Sequence, residues 1–124
     1  MFTTYATQLG LDEATALKLS ASFGGGMARM GETCGAVTGA MLVLGLKYGA
    51  TSAADKDKKE NNYALCRELV SQFITRNKSI KCKDLLGCDI STPDGMKQIH
   101  ENNLIKTICP KLVQDAADIL EQLI

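Results

Sequence analysis

The sequence has no tryptophan, only three tyrosines and three phenylalanines, and no surplus of charge of either sign. Its 14 Lys and Arg residues balance its 14 Asp and Glu residues, so the chain lacks the basic excess with which proteins attract phosphate groups. It also offers few aromatic rings for stacking on nucleic-acid bases. These deficits argue against a nucleic-acid-binding protein and against a general binder of membrane surfaces.

Long uncharged segments and export signals are absent as well. The longest uncharged segment lies between Glu32 and Lys47, and as a helix of about 14 residues it would be ~21 Å long, short of the ~30 Å hydrocarbon core of a bilayer. We therefore expect no transmembrane segment. Residues 1–5 show neither the basic nor the apolar region of a signal peptide, which favours a cytoplasmic location.

Strand signals are scarce, whereas helix signals recur along the chain. No long alternation of apolar and polar residues is present, and Gly10, Asp12 and Thr92-Pro93 are typical of helix ends and beginnings. The length of 124 residues predicts a single domain, residues 1–124, with an all-α fold. The predicted helices cover about 2–9, 12–23 and 31–48, a segment after the polar stretch 50–62, a segment from Thr92, and a last helix that begins at Cys109-Pro110.

The helix predicted for residues 31–48 is apolar on all sides, which is typical of a buried helix. Gly31, Gly35 and Gly39 recur at every fourth position and would form a bare ridge on which another helix packs closely. The sequence therefore predicts a compact bundle of five to six helices with this glycine-ridged helix at its centre.

Five cysteines in a chain without an export signal do not suggest a disulfide framework. Cys66 lies in an apolar helical stripe and is interpreted as a core residue, and the role of Cys88 is left open. Cys34, Cys82 and Cys109 each fall within the first turn of a predicted helix, where unpaired N–H groups lower the pKa of a thiol.

Three such thiolates on separate helices would serve as a dithiol/disulfide couple or as metal ligands. A further interpretation is that all three are ordinary buried cysteines. Gly35 and Gly39 would leave room beside the Cys34 sulfur for a substrate, or else serve helix packing. His100, the only histidine, stands in a polar stretch and is expected at the surface.

A resemblance to a known family supports the choice of these cysteines. The segment Cys34-Gly35-Ala36-Val37-Thr38-Gly39 is similar to the C-G-A-x-x-G motif of the C-GCAxxG-C-C family, small bacterial proteins described as redox-active and defined by four cysteines. From about Leu9 onward, further blocks resemble the family's in the same order: Gly24–Met27, Leu44–Gly49, Cys82–Gly87, and Cys109 ahead of Leu112-Val113.

By this resemblance, Cys34, Cys82 and Cys109 correspond to the second, third and fourth family cysteines, and the first would lie before Met1. The resemblance implies a redox-active thiol protein in which Cys34 is the more nucleophilic thiol and Cys82 or Cys109 resolves the disulfide. Its partner would be a redox protein or a thiol substrate, and the sequence identifies no cofactor. The alternatives are a protein that binds zinc or an iron–sulfur centre through these thiolates, and a structural bundle that forms homo-oligomers through the glycine ridge.

Overall fold

The fold is all-α, as the sequence predicts. A computed structural model describes residues 1–124; about 71% of the chain is helical, and there is no strand. Seven α-helices occur, one more than the upper end of the predicted range of five to six, because Cys82–Leu86 forms a short helix of its own. The helices are α1 (Phe2–Gln8), α2 (Glu13–Ser20), α3 (Gly35–Tyr48), α4 (Lys56–Asn77), α5 (Cys82–Leu86), α6 (Pro93–Glu101) and α7 (Leu104–Leu123), with a 3-10 turn at Ala21–Phe23.

The helix boundaries follow from local chemistry. Gly10 ends the first helical segment with a φ of +94°, a conformation that glycine adopts without steric cost. The Asp12 carboxylate accepts a hydrogen bond from the Thr15 N–H and so caps α2. Thr92 caps α6 by accepting from the Gly95 N–H, with proline at the first helical position. These predicted caps are confirmed.

The central helix is α3, which packs against α1, α4 and α7. It begins at Gly35 and not at Gly31, because Gly31 has a φ of +71° and lies in the preceding loop. The prediction of a ridge of three glycines on one helix is therefore wrong for Gly31, which lies before the helix. A Cβ on Gly35 would lie 3.3 Å from the Phe23 carbonyl oxygen, and one on Gly39 would lie 3.9 Å from Phe2, so the chain itself covers both positions.

Two groups of buried side chains form the interior. We call the larger one the main core; it contains 14 buried residues from α1, α2, α3, α4 and α7. The smaller one, the second core, consists of Cys82, Leu86, Ile90 and Ile99 and is contributed by α5, α6 and the loop between them. Ile108 of α7 packs against both, so α7 joins the two cores. None of the helices combines the length and the apolar character needed to cross a bilayer.

The last helix differs from the prediction. It begins at Leu104, after Asn103 in the left-handed conformation, and it continues through Pro110. Pro110 lacks an N–H and leaves the Lys106 carbonyl without its helical donor, but both residues are exposed to water. Apolar side chains on both sides of Pro110 pack into the cores, and this packing outweighs the lost hydrogen bond. Cys109 is consequently an interior helical residue and not a helix-starting one.

Candidate functional site

A short antiparallel pairing of two loops determines where the first two cysteines lie. Thr33 and Lys81 form an isolated β-bridge. The Cys34 N–H donates to the Ile80 carbonyl oxygen at 2.7 Å, and the Cys82 N–H donates to the Glu32 carbonyl oxygen at 2.7 Å. The segment that leads into α3 is thus joined to the segment that leads into α5.

This pairing has a direct consequence for the side chains. Cys34 and Cys82 each follow a bridge residue by one position, and successive side chains of extended segments alternate between the two sides. Both thiols therefore lie on the same side of the pair, opposite to Thr33 and Lys81. Such diagonal neighbours have Cα atoms about 7–8 Å apart, just beyond the range of about 4.4–6.8 Å that a disulfide spans, so a bond between them requires the two segments to move closer together.

Cys109 and Cys88 lie at the same place in the fold. Both pack against the second core, of which Cys82 is a buried member, whereas Cys34 packs against the main core. Cys88 follows α5 and is half-buried, and its thiol donates to the Leu86 carbonyl oxygen at 3.7 Å. The charges of Cys34, Cys88 and Cys109 all act on Cys82, so the four thiols are neighbours where the two cores meet, and we call them the thiol cluster.

A left-handed turn covers Cys82. The five consecutive residues Gly25 to Arg29 all have φ between +53° and +70°, and three of them are not glycine. Left-handed backbone costs a non-glycine residue roughly 1–2 kcal/mol, so the turn is strained. A Cβ on Gly26 would lie 2.7 Å from the Cys82 Cβ, which leaves no space between the turn and this thiol. The backbone hydrogen bond from Glu32 N–H to the Gly26 carbonyl oxygen, 2.9 Å, holds the turn against the paired segment.

Cys34 has the environment of a helix N-terminus, as predicted, but its sulfur is also shielded from water. It is the N-cap residue of α3, and the N–H groups of Ala36 and Val37 in the first turn lower its pKa without forming a capping hydrogen bond to the sulfur. Burial is the larger effect and raises the pKa of Cys34 above its ordinary value. The prediction that the helix N-terminus lowers the pKa of Cys34 below its ordinary value is therefore wrong.

Burial makes the other two thiols hard to ionise as well. Burial raises the pKa of Cys82 to about 11, with further contributions from the charges of Cys34, Cys109, Cys88 and Asp89. Burial and the charge of Cys34 raise the pKa of Cys109. Only Cys34 receives help from backbone N–H groups, and its charge raises the pKa of Cys82, so Cys34 ionises before Cys82. Burial dominates the surroundings of these thiols, which are not the electropositive environment that the positions near helix starts suggest.

One cation lies beside the cluster. Lys83, the residue after Cys82, makes ion pairs with Glu32 at 3.6 Å and with Asp89 at 3.9 Å. Its side chain fills the space that a Cβ on Gly31 would need, 2.6 Å from the Lys83 Cγ. Lys83 therefore fastens the start of α5 to the loop before Cys34 and is engaged with carboxylates.

The remaining predicted residues lie around this cluster or away from it. Gly35 and Gly39 line a cleft of about 290 Å³, and Cys34 is not among its lining residues. Cys66 is half-buried on α4 against the main core, and burial raises its pKa. His100 is exposed on α6.

All five cysteines are free thiols. Nowhere in the molecule are three or more His, Cys, Asp or Glu side chains grouped so that they could hold a metal ion together. The geometry therefore favours chemistry between pairs of thiols over the alternative of a thiolate metal site.

Two parts of the site were not found from the sequence. The Thr33–Lys81 bridge carries no sequence signal, since it consists of two single residues 48 positions apart in loops. The place of Cys88 in the cluster was left open, although the glycine before it indicates that the chain turns back after α5; Gly87 has a φ of +74°.

Comparison with curated proteins and with solved structures finds no match. A family model does match, and it covers residues 1–123, which is nearly the entire chain. The matched range includes Cys34, Cys82, Cys88 and Cys109, the four residues of the thiol cluster. The family is described as "Putative redox-active protein (C_GCAxxG_C_C)", and the chain belongs to it.

Proposed function

We propose that this protein is a dithiol/disulfide redox protein whose working pair is Cys34 and Cys82. The supporting observation is the antiparallel pairing at Thr33 and Lys81, which puts the two thiols on one side of two hydrogen-bonded segments. The two cysteines are 48 positions apart in the sequence, so this proximity is a product of folding.

Cys34 is the attacking thiol in this proposal, because it ionises before Cys82 and lies at the beginning of α3. Its thiolate attacks one sulfur of a substrate disulfide, forming a mixed disulfide and releasing the first substrate thiolate, which takes up a proton. Cys82 then loses its proton and attacks the Cys34 sulfur. A Cys34–Cys82 disulfide forms, the second substrate thiolate leaves, and two electrons have passed from the protein to the substrate.

The surroundings of the pair support this division of roles. Cys82 is only 7% exposed, so an outside disulfide reaches it poorly, whereas Cys34 is half-buried. Cys109 is the third proposed redox cysteine and would exchange with the Cys34–Cys82 disulfide from its position beside the second core. Gly35 and Gly39 remain the proposed substrate-binding residues because they line a cleft beside the first turn of α3, although Cys34 itself does not line it.

The test is differential alkylation of the purified protein in redox buffers of increasing oxidising strength. Remaining thiols are alkylated with light iodoacetamide, and oxidised ones are then reduced and alkylated with the heavy reagent. We expect Cys34 and Cys82 to oxidise together at one midpoint potential, and peptide mapping to recover the crosslinked pair.

Single substitutions make this result decisive. Cys34→Ser is expected to leave Cys82 reduced at potentials where the wild type is oxidised, since Cys82 then has lost its partner. Cys66→Ser removes a thiol of similar burial outside the cluster and is the matched control; it should leave the midpoint unchanged. Independent oxidation of Cys34 and Cys82, or a dominant crosslink between other cysteines, would refute the working pair.

A further inference from the structure

A second candidate site lies between the left-handed turn, α6 and the beginning of α7. It is a cleft of about 760 Å³, a volume within the range of about 300–1,000 Å³ that is typical of small-molecule sites. We call it the α6 cleft. No cysteine lines it, so it is separate from the thiol cluster.

Two side chains that donate hydrogen bonds line the α6 cleft. Arg29 contributes a guanidinium group and His100 an imidazole ring, and no Asp or Glu side chain lines the cleft. Both side chains are exposed to solvent, and neither takes part in an ion pair of the protein. Arg76, by contrast, is paired with two carboxylates. The cleft therefore presents a positive charge that no protein group balances, and an anionic ligand complements it.

The left-handed turn holds the base of the Arg29 side chain in place. A Cβ on Gly25 would lie 2.8 Å from the Arg29 Cγ and 2.9 Å from the Arg29 Cα, so this side chain packs directly over the glycine. The Arg29 N–H donates to the Gly24 carbonyl oxygen at 3.0 Å. Because backbone contacts already fix the base of the side chain, less conformational freedom is lost when the guanidinium binds a ligand.

Strained backbone at the same position is a further sign of a binding site. Ala28 and Arg29 both line the cleft, and both have a positive φ, +53° and +62°, although neither is glycine. Backbone strain of this kind concentrates at ligand sites and active sites.

The rest of the lining offers an apolar surface. Ile90 is 7% exposed and belongs to the second core, Met96 is half-buried, and Ile105 is 46% exposed. These side chains stand in one concavity with the two donors, in contrast to single apolar residues scattered over a surface. A ligand of this cleft therefore combines an anionic group with a hydrocarbon part.

We propose that the α6 cleft binds a small organic molecule with one carboxylate group, which accepts hydrogen bonds from Arg29, with His100 as a second donor. The hydrocarbon part of the ligand covers Ile90, Met96 and Ile105. The planar guanidinium matches the two oxygens of a carboxylate, and its single charge balances a monoanion. A phosphate dianion would keep negative charge that the cleft does not balance.

The protein carries its own reporter of occupancy. His100 is the only histidine, so the ring C–H resonances of histidine in a proton NMR spectrum belong to this residue alone. Because His100 lines the α6 cleft and no other cleft described above, a saturable shift of these resonances reports binding at this site.

The test compares 4-phenylbutanoate with 4-phenylbutanamide, which has the same hydrocarbon part and a planar but uncharged head group. Both are titrated into the full-length protein at constant pH and ionic strength, and the His100 resonances are followed. We expect 4-phenylbutanoate to saturate the shift at concentrations about tenfold or more below those that the amide needs, because only the carboxylate makes charge-assisted hydrogen bonds to Arg29.

Variants of exposed arginines identify the residue that binds the carboxylate. In Arg29→Gln the carboxylate should lose its advantage over the amide, whereas Arg29→Lys, which keeps the charge, should retain a preference for it. Arg67→Gln, at an exposed arginine outside the α6 cleft, is the matched control and should bind like the wild type. Circular dichroism checks that each variant retains the helical fold.

This proposal does not rest on the redox function. Cys34→Ser should bind 4-phenylbutanoate like the wild type, so failure of the redox proposal leaves the binding result readable.

Four outcomes would overturn the proposal. The first two are the absence of a saturable shift with 4-phenylbutanoate and equal saturation by the carboxylate and the amide. The third is an undiminished preference for the carboxylate in Arg29→Gln. The fourth is tighter binding of 4-phenylbutyl phosphate than of 4-phenylbutanoate, since the cleft would then select a phosphate.

Discussion

At the scale of single residues, two opposing effects act on the Cys34 thiol. The start of α3 offers N–H groups that favour the thiolate, and burial disfavours it; burial is the larger effect. A buried thiol with a raised pKa is mostly protonated at neutral pH, so its reactions are slow until the pH rises. The same argument applies more strongly to Cys82, whose pKa is raised to about 11.

We therefore predict that Cys34 reacts before Cys82 with iodoacetamide, and that both rates keep rising beyond the ordinary pKa of a thiol, about 8.5. The thiolate is the reacting species, and its fraction increases with pH up to the folded-state pKa. The measurement is the alkylation rate of each cysteine peptide between pH 7 and 10 by mass spectrometry. A Cys34 rate that levels off below pH 8, or a faster Cys82, would contradict this assignment.

At the scale of elements, the left-handed turn from Gly25 to Arg29 covers the thiol cluster at a cost in backbone strain. The turn persists because hydrogen bonds tie it to the segments on both sides: Ala28 N–H donates to the Ser22 carbonyl oxygen at 2.9 Å before the turn, and Glu32 N–H after the turn donates to the Gly26 carbonyl oxygen at 2.9 Å. Gly26 is the point where this turn lies closest to Cys82.

Two glycines of the same loop allow a matched prediction. Gly26→Ala should lower the free energy of unfolding by more than about 2 kcal/mol, because alanine is strained at a φ of +70° and its Cβ would lie 2.7 Å from both the Cys82 Cβ and the Glu32 backbone nitrogen. Gly24→Ala, at an ordinary φ of −65° with no atom within 4 Å, should change stability little. Urea unfolding of the two variants measures the difference, and equal stabilities would refute the close contact.

At the scale of the whole molecule, α7 joins the two cores, and the thiols lie where those cores meet. Arg76 of α4 pairs with Asp115 and Asp118 of α7, and Tyr5 of α1 donates to the Glu121 carboxylate at 2.7 Å, so the C-terminal half of α7 is tied to both α4 and α1. If the thiols lost their protons, negative charge would lie among the apolar side chains where the two cores meet, which is energetically unfavourable.

We accordingly predict that the reduced protein loses stability in alkaline solution. A thiol whose pKa is raised by folding contributes stability below its unfolded pKa, about 9.0, and that contribution is lost as the pH rises toward the folded value, about 11 for Cys82. At about 1.4 kcal/mol for each pKa unit, Cys82 alone accounts for roughly 2–3 kcal/mol of this loss.

Urea unfolding in reductant between pH 7 and 10.5 measures this effect. Cys82→Ala should flatten the dependence of stability on pH, whatever its effect on stability at pH 7. A variant with the same slope as the wild type would show that Cys82 is not the group responsible.

The sequence by itself determined the helical class, the caps at Asp12 and Thr92, and the stop at Gly10, because each depends on contacts within a few residues. It also identified Cys34 as a residue near the beginning of a helix. The predicted helix starts four residues too early, at Gly31, and so puts Cys34 in its first turn, whereas Cys34 is the N-cap residue of α3. The prediction for Cys109 was wrong because Cys-Pro is equally compatible with a helix start and with an exposed proline inside a helix. Only side-chain packing against the two cores distinguishes these cases.

Tertiary structure alone decided how the thiols relate to each other. The pairing of Thr33 with Lys81 joins segments from opposite halves of the chain, and no local pattern encodes a contact of that kind. Burial likewise decided the sign of the pKa shifts, since a helix N-terminus lowers a thiol pKa only where the apolar surroundings do not cost more. Local interactions therefore determine where the helices begin and end. The free energy of transferring side chains out of water determines how the helices pack and how readily the cysteines ionise.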